Sequence, residues 1–186
     1  MGPLGDIPNF KPNCLLQTGV RTSKKLHVTR QVALESYGDV LSVSSGRIGD
    51  QEWLERLRRN VYQELYLATW GGWDQARHER HVAECWKRGG LWIIEVDGER
   101  VGMIQLFDQP DAVEVGEIQI QPSHQNRGFG TRVLNDIVFG AHEQHKKVSL
   151  SVGSKNDRAY QLYQRLGFRQ VARTNTHIHM ACYPAA

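Results

Sequence analysis

Between Gln125 and Gly130 the chain reads Gln-Asn-Arg-Gly-Phe-Gly, and a helix-period apolar pattern starts directly after it. Glycines at 128 and 130 let successive backbone N–H groups converge where a helix begins, and a helix N-terminus attracts anionic phosphate. The segment Gln125, Asn126, Arg127, Gly128, Phe129 and Gly130 therefore predicts a pyrophosphate cradle, with plain turn chemistry as the alternative. A dinucleotide fingerprint is excluded because its third glycine and downstream acidic strand end are missing. A triphosphate loop is excluded because no Gly-Lys-Ser/Thr follows. One strand later comes a second pattern, Asn156 to Phe168: an Asn-led helix with inward Tyr163, closed by Gly167-Phe168.

Two carboxylates lie on the strand that feeds the glycine turn. Regular alternation counted back from Pro122 puts Ile120, Ile118, Gly116 and Glu114 on one face, and Glu117 with Gln119 on the other. A single bulge exchanges the two sets. Each carboxylate suits proton transfer through an ordered water, and each equally suits a surface charge.

Positioning these residues takes a series of elements. Leu41 to Ser44 alternates and predicts a first edge strand. Trp53, Leu54, Leu57, Val61 and Leu65 recur at helical spacing, with Asp50 as the expected N-cap, and Thr69 to Trp73 reads as a loop. Asp74 caps a second helix to about Lys87, ended by Gly89-Gly90. Leu91–Val96 and Val101–Phe107 flank Asp97-Gly98 as a hairpin, and Val113–Gln121 is a fourth strand. Helices over 131–143 and 157–166 alternate with strands at 148–152, 168–173 and 177–182. This order predicts an α/β fold with a mixed, mostly antiparallel central sheet flanked by about four helices.

Composition narrows the function classes. The chain has 186 residues, 40% apolar and 23% charged, enough for one domain with a core and a ligand cleft. Residues 1–37 read as a tag or flexible arm, and residues 38–186 as a single domain. The net charge of +3 comes from residues 1–36, where five basic residues face two acidic ones. The remainder is balanced, which argues against a nucleic-acid partner. No apolar window approaches the roughly 18 residues of a membrane span, and no secretory signal is visible, so the expected location is cytoplasmic, without a membrane partner. Cys14, Cys85 and Cys182 fit neither a disulfide framework nor a zinc spacing, and no metal is expected.

With both patterns in hand, the chain resembles the GNAT acyltransferase superfamily over roughly Leu41 to Pro184. Gln125, Gly128 and Gly130 meet that family's cofactor motif. Asn156, Ala159, Tyr163, Gly167 and Phe168 meet its Asn-x-x-Ala-x-x-x-Tyr-x-x-x-Gly-Phe motif. The resemblance implies acetyl-CoA as acyl donor, with backbone groups of the strand segment Ile118, Gln119 and Ile120 beside pantetheine. The turn and the Thr131 hydroxyl would take the pyrophosphate, and Asn156 would touch the pantetheine arm. Tyr163 would stand near the thioester sulfur as general acid, with Glu114 or, as second choice, Glu117 as water-assisted base. Gln125 stands where other members carry Arg, which leaves one positive charge fewer near the phosphates.

The function so implied is acetyl transfer to an amine of a small molecule or peptide by direct attack. Transfer of a longer acyl chain and non-catalytic binding of acetyl-CoA remain alternatives, and a homodimer paired through terminal strands remains open. Trp70, Trp73, His177 and His179 fall in regions that wall the acceptor cleft in the family, and core packing is their plainer explanation.

Overall fold

The computed structural model describes residues 39–185, so the expected arm over 1–37 lies outside the described residues. In chain order the elements are β1 (Leu41–Ser45), α1 (Gln51–Trp70), α2 (Gln75–Arg88), β2 (Leu91–Val96), β3 (Glu99–Asp108) and β4 (Ala112–Ile120). There follow α3 (Phe129–His142), β5 (Lys147–Gly153), α4 (Asp157–Arg165), β6 (Arg169–Arg173) and β7 (His177–Cys182). The seven strands form one sheet in the order β1-β2-β3-β4-β5-β7-β6, and every neighbouring pair is antiparallel except β4 with β5. The expected mixed, mostly antiparallel sheet with four α-helices is what is observed.

Local chemistry explains the boundaries. Asp97 and Gly98 both take positive φ, as a two-residue hairpin turn demands. Asp74 caps α2 by accepting the Arg77 N–H at 2.9 Å. Asp50 does not cap α1 as expected: its carboxylate accepts the Arg47 N–H at 2.7 Å and pairs with Arg100 at 2.8 Å. The first helix also runs through Trp70, into the stretch read as loop, before left-handed Gly71 returns its N–H to the Leu67 carbonyl. Gly128, at φ 83°, turns the chain straight into α3, which therefore starts at Phe129 rather than Thr131.

Two apolar layers cover the sheet. Leu54 and Leu57 of α1 pack with Leu91, Ile93 and Met103 on one face. On the other, Phe129, Val133 and Leu134 of α3 and Tyr163 of α4 pack with Val113, Val115, Val148 and Leu150. Among the described residues no helix is long and apolar enough to cross a membrane.

A bulge sets the faces of β4. Gln105 pairs with Glu117 but Leu106 pairs with Val115, so Gly116 is the extra residue. A Cβ there would come within 2.8 Å of the Phe107 ring, which favours glycine at this point. Val113 and Val115 thereby share the α3/α4 face with Ile118 and Ile120. Glu114 meets Arg88 of α2, on the side to which Glu117 turns. The regular alternation that grouped Glu114 with Ile118 and Ile120 is thus corrected.

Candidate active site

Glu117 gathers a polar cluster under α1 and α2. Arg58 Nη1 donates to Glu117 Oε1 at 2.5 Å, and His81 Nε2 lies 3.1 Å from Oε2. The side chains of Arg58 and Glu117 keep only 9% and 14% of their exposure. The Tyr62 phenol, one turn beyond Arg58, and the Gln119 amide also lie within electrostatic reach of Glu117. Burial by itself would raise the Glu117 carboxyl, but Arg58, His81 and Gln119 outweigh it and hold the group down at about 2. Burial opposes the charge on Arg58, yet Glu117 and the neighbouring phenols and thiol carry its pKa upward. The Tyr62 phenol is pushed well above its usual value by burial and then by the Glu117 charge.

Tyr163 approaches from the opposite layer. It is 8% exposed, packs on Phe168 with ring centroids 5.9 Å apart, and lies within electrostatic reach of Tyr62. Burial pushes its phenol up to about 12, so it is a neutral donor across the working pH range. Glu114 stands apart from this cluster, half-exposed and paired with Arg88 at 2.8 Å.

The two layers communicate because the sheet is open between β4 and β5. Their ladder runs only from Ala112 and Lys147 to Val115 and Leu150. Gln121 donates its N–H to Val101 on the β3 side, so strand alternation aims the backbone groups of Ile118 and Ile120 into the seam. Gln119, expected with them, instead turns its backbone to β3, and its side chain is buried beside Glu117. The Ile120 carbonyl already accepts from Gln125 Nε2 at 2.9 Å, leaving the Ile118 groups and the Ile120 N–H.

The glycine turn closes the end of this seam. Asn126 and Gly128 take left-handed φ of 64° and 83°, and no side chain caps α3, so the first N–H groups of the helix point outward toward any anion placed there. Buried Phe129 anchors the turn, with Gly130 and Thr131 half-buried behind it. Arg127 leans over the Phe129 ring at 4.9 Å and pairs with Asp39 at 3.3 Å. Arg158 reaches from α4 to Asn126 Oδ1 at 2.5 Å and Gln125 Oε1 at 3.4 Å. Asn156 spends its side-chain oxygen on capping α4 through the Ala159 N–H, 3.2 Å away, which leaves its amide hydrogens to donate.

Sequence reasoning did not single out Arg58, Tyr62, His81 or Arg158, and it set Cys85 aside as an ordinary thiol. A signal existed for Arg58, which interrupts the apolar stripe Leu54, Leu57, Val61 at a core-facing position. Among the expected wall residues, Trp73 packs on Tyr66 and His78 with centroids 5.3 and 4.8 Å away. His179 Nδ1 lies 2.7 Å from the Ser151 hydroxyl. The Trp70 side chain lies outside what is described.

An uncharacterized N-acetyltransferase of Methanocaldococcus jannaschii is 28% identical over 125 residues, covering 59% of this chain and 55% of that protein. The spermidine N(1)-acetyltransferase of Escherichia coli K12 is 28% identical over 96 residues, 49% of this chain and 50% of the relative. The chain thus spans about half the length of these curated relatives. The crystal structure of the PaiA N-acetyltransferase of Thermoplasma acidophilum, in complex with coenzyme A, superposes with a TM-score of 0.60 at 14% identity, over 77% of this chain and 98% of that one. The model of the acetyltransferase (GNAT) family matches residues 58–168, from Arg58 beneath the polar cluster to Phe168 against Tyr163, and the chain belongs to that family.

Proposed function

We propose that the chain transfers an acetyl group from acetyl-CoA to an amine by direct attack within a ternary complex. The observation that carries this reading is the seam: β4 has no partner in β5 beyond Val115, and the uncapped glycine turn follows its end. Pantetheine amides would pair with the Ile118 backbone groups and the Ile120 N–H, replacing the missing strand contacts. The pyrophosphate would sit on the N–H groups from Arg127 to Gly130 with the Thr131 hydroxyl, and the Asn156 amide would donate to the pantetheine arm. The coenzyme A named with the Thermoplasma neighbour supports that occupant.

The chemistry then needs a proton taken from the amine and one given to sulfur. Glu117 is the favoured base, because Arg58 keeps it ionised and rigid at the α1/α2 side of the seam. A carboxylate held at about 2 is a weak proton acceptor on its own, so it acts by orienting a water that carries the proton away. Glu114, spent on Arg88 in a half-exposed pair, is the weaker choice. Tyr163, neutral up to about 12, would protonate the departing thiolate. Attack forms the nitrogen–carbonyl bond and breaks the carbon–sulfur bond, with the proton from nitrogen leaving through water and the phenolic proton passing to sulfur.

Calorimetric titration with acetyl-CoA, followed by thiol release across an amine panel, tests the reading. Micromolar binding with release supports it. Binding without release on any amine would leave a non-catalytic binding module, and no binding would remove it.

A further inference from the structure

Three metal-ligating atoms converge on one point beside Glu117. His81 Nε2 lies 3.1 Å from Glu117 Oε2, and Cys85 Sγ lies 3.3 Å from that nitrogen and 3.7 Å from that oxygen. A nucleophilic relay would need histidine to hold the thiol through one ring nitrogen and the acid through the other. Here the same nitrogen meets both, so the groups converge instead of passing a proton along. Tetrahedral zinc with bonds of about 2.0–2.3 Å sets its ligand atoms about 3.3–3.8 Å apart, close to the spacing found.

The scaffold suits such a site. His81 and Cys85 are one turn apart on α2 and share a face. Arg58 grips the other oxygen of Glu117, fixing the carboxylate while leaving Oε2 available. A cavity of about 20 Å³, largely apolar in its lining with Leu54, Leu91 and Met103, reaches Cys85, Glu117 and Gln119 of the cluster and is large enough for one water. Gln119, 4% exposed, buries its Oε1 there with no hydrogen-bond partner, an acceptor suited to a metal-bound water. Thiolate and carboxylate offset the charge of a divalent ion, and the mixed nitrogen, sulfur and oxygen set suits zinc better than magnesium or calcium.

We propose that His81, Cys85 and Glu117 bind a thiophilic divalent cation, zinc(II), with water in the fourth position. Binding occupies the Glu117 oxygen that would otherwise serve the amine, so the zinc-bound form is inactive. That consequence, unlike the site itself, rests on the proposed base role of Glu117.

Titration of the full chain with zinc chloride, without acetyl-CoA, measures the site independently of activity. One ion per chain is expected at micromolar or tighter affinity, weakened at least about tenfold in Cys85→Ser and in His81→Gln. Thermal melts establish that both variants are folded, and Cys85→Ala stands in for any that is not. Cobalt(II) should give a thiolate-to-metal charge-transfer band that Cys85→Ser lacks. Absence of binding, or binding unchanged in both variants, as coordination through Cys14 or surface histidines would give, overturns the proposal. The turnover ratio with and without zinc is read separately: tight binding with no inhibition retires Glu117 as base and keeps the cation site.

Discussion

Arg58 and Glu117, 59 positions apart in the chain, meet at 2.5 Å between α1 and β4 with both side chains nearly buried. Removing one partner strands the other's charge, so Arg58→Met should destabilise the fold by about 3–5 kcal/mol. The double variant Arg58→Met with Glu117→Leu should recover most of that loss, because an apolar pair of similar volume carries no desolvation cost. Urea denaturation of the variants checks this. Equal stability of the single and double variants would show that shape, not charge, dominates here.

Tyr163→Phe should lower kcat about 100-fold while leaving the acetyl-CoA dissociation constant unchanged, as loss of a general acid requires. Equal losses in both would remove the acid assignment.

The same phenol ties stability to pH. Its folded pKa, about 12, exceeds the usual 10, so its contribution is fully present below pH 10. Between pH 10 and about 12 the unfolded chain loses that proton first, and stability falls. Denaturation at pH 9 and pH 11 should show a smaller drop for Tyr163→Phe than for the parent.

The two turn glycines should answer differently to substitution. A Cβ at Gly130 meets nothing nearer than Ile120 Cγ1 at 3.7 Å, and no positive φ constrains it. Gly130→Glu should therefore fold normally yet lose acetyl-CoA binding, its carboxylate facing the phosphates. Gly128 sits at φ 83°, and Gly128→Ala should cost about 1–2 kcal/mol in stability before any ligand is considered. Calorimetry and melting, run side by side, separate the effects.

Arg158 supplies near the turn the positive charge that Gln125 lacks. Arg158→Ala should weaken acetyl-CoA binding about tenfold at low salt and by less at high salt, as screening of an exposed charge predicts. A salt-independent loss would point to packing instead.

Much of this frame was legible in the sequence because it is local. Asp97-Gly98 fixes its own hairpin, Asp74 its own helix start, and Gly128 its own turn. What escaped depends on register between distant segments. Nothing near Gly116 announces that Gln105 will pair with Glu117 and Leu106 with Val115, yet that slip decides which carboxylate meets Arg58. His81 and Cys85 likewise read as ordinary helix residues until α2 is laid across β4. Asp50 misled for a related reason: its capping chemistry was sound, but Arg47 and Arg100 claim the carboxylate.

The parting of β4 from β5 also makes this sheet two plates, one of four strands and one of three, joined by a short parallel hinge at Ala112–Val115. An amide-bearing ligand in the seam would act as a surrogate strand, completing a ladder the polypeptide leaves open. Occupancy would then stiffen both plates together: at a ligand concentration of 100 times Kd the folded state gains about 2.7 kcal/mol. Amide hydrogen exchange should slow along residues 116–120, so that the protein's rigidity tracks its supply of acyl donor.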